Sequence, residues 1–150
     1  MNKLKDNLRA ILKLITTCRD GELRFRSAAH RVESEDLQKL FLIYAEQRRQ
    51  FGVELQSEIR RLGGVESQQG DEVGPLPRSW EVQTVFTYED EDAVIGECDH
   101  GEDLAVKDYE EALRRNLAPE VEMLVFRQYK KIGDTHSRIR NLQEASYANA

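Results

Sequence analysis

Apolar side chains in this chain return at steps of three and four through four separate stretches, each far longer than a β-strand. That is the period of an amphipathic helix. In the first stretch Leu4, Ile11, Leu14, Ile15, Cys18, Glu22, Phe25, Ala29 and Val32 share one stripe, which predicts a helix over about residues 3–32. Ser34 is placed to cap a second helix with acids in its first turn. Its stripe carries Leu37, Leu40, Phe41, Tyr44, Phe51, Leu55, Ile59 and Leu62, and Gly63-Gly64 stops it. Asp90 heads a third helix with Val94, Ile95, Cys98, Glu102, Ala105, Tyr109, Ala112 and Leu113 inward. The stretch "NLAPE" ends it, and Pro119 suits the first turn of a fourth. There Val121, Val125, Gln128, Ile132, His136 and Ile139 face inward, and the tail "ASYANA" is expected to fray.

The first two helices are joined by a short turn, and so are the last two, so each pair is an antiparallel hairpin. The connection between the hairpins is long enough to run the length of a bundle. It opens with a polar loop over residues 64–75. The stretch "LPRSWEVQTVFTY" then predicts a short helix with Leu76, Trp80, Val85 and Phe86 turned inward to cover the core. Two hairpins and one long crossover make an all-α, ferritin-like four-helix bundle, a single domain over residues 1–150.

Composition narrows the function. The net charge is −6 and the pI about 5.2, with basic residues interleaved among acids. A nucleic-acid partner, which needs a basic patch, is therefore not expected. The N-terminal apolar residues are spaced rather than continuous, so no signal peptide is predicted. No run approaches a membrane span. A cytoplasmic location is the expectation that follows. Neither Cys18 nor Cys98 has metal-ligand spacing, and both read as buried thiols in a reducing compartment. A redox pair would need the two adjacent in space.

One short pattern occurs twice, as "CRDGE" at residues 18–22 and "CDHGE" at residues 98–102. It puts Cys and Glu inward on the first and third helices, with Gly at the stripe's edge. The reading is of two like halves in which each glycine lets a neighbouring helix approach closely. The second and fourth helices carry a fainter echo, "SEIRRL" and "SRIRNL".

Di-iron bundles of this topology take one Glu from each of two helices and Glu-x-x-His from each of the other two. Glu22 and Glu102 meet the first requirement, but the second helix has no His and the fourth has no inward carboxylate beside His136. Two readings stand side by side. In the first, a buried Arg48 lies between Glu22 and Glu102, with Gln128 and His136 joining an inner polar cluster that needs no cofactor. In the second, Glu22, Glu102 and His136 hold iron, manganese or zinc and support oxidoreductase chemistry. Glu97 and His100 have metal-motif spacing but turn away from the core, His30 lies off the stripe, and Glu54 and Glu58 read as rim charges. No phosphate loop, nucleophile motif or dinucleotide fingerprint is present.

Four stretches, "CRDGELRFRSAA", "AEQRRQFGVELQSEIRRLGG", "GECDHGEDLAVKDYEEAL" and "THSRIRNL", resemble a bacterial family of ferritin-like four-helix bundles of unknown function. The resemblance implies the fold and no assigned activity. Ferritin-like relatives suggest a setting in bacterial stress physiology. The first expectation is therefore a non-catalytic bundle with a structural or interaction role, in which homodimerisation through a helical face is plausible.

Overall fold

A computed structural model describes residues 3–63 and 88–148, and among them only helix, turn and irregular backbone occur. The helices are α1 (Lys3–Arg31), α2 (Glu35–Arg61), α3 (Glu91–Leu113) and α4 (Pro119–Ala148). The expected crossover helix lies outside the described residues.

Local chemistry sets the helix ends. Ser34 Oγ accepts from the Leu37 N–H at 3.2 Å, and Glu35 and Asp36 lie in the first turn, where the helix dipole favours negative charge. At the other end Gly63 takes a φ of 79°, a left-handed conformation that costs other residues a steric penalty. Asp90 accepts from the Asp92 N–H at 3.3 Å and starts α3. The last helix runs on through Ala148, into the tail expected to fray, and Leu142, just before that tail, packs against the core.

Each helix has two neighbours: α1 packs on α2 and α3, and α4 packs on α3 and α2. Thus α2 and α3 are diagonal across the bundle, as are α1 and α4. At one end, the Glu89 N–H donates to Arg31 O at 2.8 Å and the Ser34 N–H donates to Glu91 at 3.2 Å, which brings the α1–α2 turn against the start of α3. At the other end, Asn7 near the start of α1 reaches the α3–α4 turn. Its Nδ2 donates to Lys3 O at 2.6 Å and Asn116 O at 3.4 Å, and its Oδ1 accepts from the Ala118 N–H at 2.9 Å. No described helix is long and apolar enough to cross a membrane.

The core divides into two apolar clusters. One holds Ile11, Leu14, Cys18, Leu55, Tyr109 and Ile132; the other holds Phe25, Phe41, Ala45, Val94, Cys98 and Ile139. On every helix the break between them falls at a polar or very small residue: Gly21 on α1, Arg48 on α2, Gly101 and Glu102 on α3, Thr135 on α4. A polar layer therefore crosses the middle of the bundle. Leu4 alone departs from the expected first stripe by being largely exposed, since it lies a turn before the core begins.

Asn7 is 2% exposed, and its amide serves backbone groups on two segments. Asn7→Ala should lower unfolding stability by about 1–3 kcal/mol, because buried backbone groups lose their partners. Urea unfolding measures this, and a change within experimental error would mean that water replaces the amide.

Candidate functional site

Arg48 and Glu102 meet at the centre of the polar layer, across the diagonal between α2 and α3. Arg48 is 1% exposed and Glu102 is fully buried. The guanidinium engages the carboxylate through two bonds: Nη1 donates to Oε2 at 2.7 Å, and Nη2 donates to Oε1. A planar fork on a planar acceptor is the strong geometry for such a pair. Arg48 Nε donates to Gln47 Oε1 at 3.3 Å, and the Thr135 hydroxyl of α4 lies 3.4 Å from the same oxygen. The Phe25 ring lies beneath the guanidinium, 5.5 Å from its carbon to the ring centroid. Burial works against the charge on Arg48, but the adjacent Glu102 overrides it and raises the pKa above the usual arginine value. The fork and the carboxylate satisfy each other's hydrogen bonds.

The repeated glycines make room for arginines, not for a closer helix. A Cβ on Gly21 would stand 3.0 Å from Arg48 Nη1 and 3.2 Å from Arg48 Cγ. A Cβ on Gly101 would stand 2.1 Å from Arg24 Nε. Arg24 lies across Gly101 with Nη1 3.9 Å from Glu102 Oε2, and that nitrogen is buried without a hydrogen-bond partner. The sequence reading expected helix–helix approach at both sites. The difference follows from size, because two long cations converge on one carboxylate and the missing side chains are the space they use.

The halves are alike in sequence and unlike in use. Glu22, the counterpart of Glu102, does not join Arg48. It accepts from Arg26 Nε at 3.0 Å and Nη2 at 2.8 Å within its own helix and remains partly exposed. His136 sits beside the layer with Nε2 3.2 Å from Asp99 Oδ1, outside hydrogen-bonding geometry, and Arg140 clasps the same carboxylate with two bonds of 3.3 Å. Glu22, Glu102 and His136 thus each have a separate partner, and the structure does not gather them as ligands. Among the described residues no group of three His, Cys, Asp or Glu side chains could hold a metal ion. Glu97 pairs with Arg31 at 2.6 Å, while His100 and His30 are exposed. Glu58 pairs with Arg61 at 2.7 Å.

Gln128 belongs to a second polar string, inside the first apolar cluster. Its Nε2 donates to Phe51 O at 3.3 Å and to Glu54 Oε1 at 2.8 Å, both acceptors, so its Oε1 must face Tyr109. The Tyr109 hydroxyl donates to that oxygen at 2.7 Å. Having spent its proton, it can only accept from the Cys18 thiol, 3.1 Å away. Every donor therefore points one way, from Cys18 outward to Glu54, whose other oxygen meets Arg127 at 3.3 Å. Glu54, expected as a rim charge, is the outer terminus of this string.

Cys18 and Cys98 are free thiols in different apolar clusters. Burial pushes Cys18 up to about 11 and Cys98 up to about 12. Sequence reasoning missed Arg24, Asp99 and the hydroxyl of Tyr109. Arg24 gave no signal, being one of many basic residues beside a stripe. Tyr109 gave one: a phenol on a core stripe must find a partner for its hydroxyl.

Two predictions follow from this geometry. Gly21→Ala gains helix propensity of about 1 kcal/mol yet should destabilise the protein by about 1–2 kcal/mol net, because Arg48 is locked at both ends and cannot retreat. Gly101→Ala should cost less, because Arg24 reaches solvent and can swing out; thermal unfolding of the two variants checks the order. The thiols should resist alkylation at pH 8 in the folded state. Their folded pKa values exceed the ordinary 9.0, so the stability they contribute is full below pH 9 and is lost as pH climbs towards about 11 for Cys18 and about 12 for Cys98. Thiol labelling and unfolding from pH 8 to 11 measure both effects.

Comparison with known proteins agrees with the fold. Over 97% of its length the chain superposes on part of a two-domain protein from Anabaena variabilis that contains DJ-1/ThiJ/PfpI-like and ferritin-like domains. The TM-score is 0.81 and the sequence identity 14%. The chain spans 41% of that protein's length, so the likeness is one of fold. A search of the curated proteins finds no match. Residues 6–115, most of the chain, match the model of a family described as a domain of unknown function, DUF2383. With its ferritin-like bundle, the chain belongs to that family.

Proposed function

We propose that this bundle is a non-catalytic domain with a structural or interaction role, its centre closed by a salt bridge where related architectures place metal. The observation that carries the reading is the Arg48–Glu102 pair. Both oxygens of Glu102 are engaged by a guanidinium, and Arg24 adds a second cation beside them. A metal ion entering there would meet positive charge and a carboxylate with little capacity left. The remaining inner groups support the same reading. The thiols are held protonated, and the amide and phenol of the second string are committed to each other. The Anabaena protein, in which a ferritin-like domain shares a chain with a DJ-1/ThiJ/PfpI-like domain, offers an instance of such a bundle beside another domain.

The test is metal content. Protein purified without tag or chelator, then offered Fe(II), Mn(II) or Zn(II), should carry no stoichiometric metal by elemental mass spectrometry. Uptake near one equivalent per chain, abolished in a Glu22→Ala, Glu102→Ala variant, would overturn the reading and put metal chemistry at the repeated glutamates.

A further inference from the structure

The outer face of α2 carries a regular pattern of exposed positions, one of which, Glu46, pairs with Arg49 of the same helix at 2.6 Å. Steps of three and four from Asp36 to Arg60 touch eight positions, and every one is exposed. These positions lie directly opposite the buried line through Phe41, Ala45, Arg48 and Leu55. A strict alternation of three and four is the heptad spacing of a helix that packs along a second helix. Its apolar members are Ile43, 63% exposed, and Val53, 40% exposed, with Leu42 beside them at 45%.

The pattern is symmetric about position 48. We propose that α2 pairs with α2 of a second copy of this chain, antiparallel, about a twofold axis level with residue 48. In that register Ile43 packs on the partner's Val53, and Asp36 faces the partner's Arg60. Lys39 meets the partner's Ser57, and Glu46 meets the partner's Gln50. Each contact occurs twice by symmetry. The two alternating heptad positions face one another throughout, as antiparallel packing requires. No like charges meet among these eight positions.

Other arrangements lose this match. A parallel pair sets Asp36, Lys39, Glu46 and Arg60 each against its own copy, which places like charges in contact at every polar layer. Sliding the antiparallel pair by one heptad in either direction puts Ile43 against the partner's Arg60 or the partner's Glu46. The face also holds two acids and two bases, so it is neutral in a chain of net charge −6. Two copies can approach there without the repulsion their whole charge would impose. With only one apolar contact, Ile43 on the partner's Val53, repeated once by symmetry, the association depends on protein concentration. The proposal gives the interaction reading a partner and a surface. It does not depend on the Arg48–Glu102 core, and metal uptake would leave it standing.

The experiment uses the full chain. Sedimentation equilibrium should report a reversible monomer–dimer exchange, weakened about tenfold or more by Ile43→Glu. The doubly substituted Ile43→Cys, Val53→Cys chain should form disulfide-linked dimers on mild oxidation. The two new thiols lie about 15 Å apart along their own helix, beyond the reach of about 7 Å that a disulfide allows, so the bond must be intermolecular. Ile43→Cys alone should not cross-link, because the twofold axis separates it from its copy by the same axial distance. A parent that stays monomeric at all concentrations overturns the proposal. So does a dimer indifferent to Ile43→Glu that yields no cross-link in the double-cysteine chain.

Discussion

A guanidinium and a carboxylate buried together at the centre of a helical bundle impose a demand that neighbouring residues must meet. Arg48 and Glu102 come from diagonal helices, so they touch only if all four helices hold their register. An ion left alone in an apolar interior costs several kcal/mol. The penalty for misregister is thus much greater than the net worth of the correct pair. Gly21 and Gly101 clear the space, Phe25 lies under the cation, and Gln47 takes the remaining Nε proton. The two apolar clusters on either side exclude water. The layer reads as a device for uniqueness more than for stability, since apolar residues of equal volume could fill the same place at no loss.

The second string complements it. Cys18, Tyr109, Gln128 and Glu54 join α1, α3, α4 and α2 in that order through polar contacts within the first cluster. The amide of Gln128 fixes its direction, because one side of it faces only acceptors. Glu54 then connects the string to the rim at Arg127. The α2–α4 seam depends on such bridges, since these two helices pack against each other less than the other adjacent pairs do.

Most of the architecture was legible in the sequence because helix periodicity is local. Ser34, Asp90, Gly63 and Pro119 mark ends through interactions spanning only a few residues. The core stripes followed from the same period, and Arg48, Glu102 and Gln128 stood out as polar residues on apolar stripes. What periodicity does not carry is azimuth across the bundle. It places Glu22 and Glu102 in equivalent positions on equivalent helices and cannot tell that one turns to Arg26 while the other takes Arg48. The choice lies in which long side chain reaches whom, and that depends on helix rotations of a few tens of degrees. Arg24 shows the same limit. Nothing in its neighbourhood distinguishes it from Arg26 until Gly101 of a different helix comes alongside.

The diagonal placement of the central pair also governs how the chain can reach its final form. Each hairpin is made of contacts close in sequence and can assemble early, whereas Arg48 and Glu102 are supplied by different hairpins. Before the hairpins meet, each ion keeps its own shell of water. Stripping that water from one without the other in place is unfavourable, so both must shed it in the same event. The joining of the two halves is therefore the step at which the core dries, and a hairpin on its own would be a wet, incomplete object despite the sequence likeness between the halves.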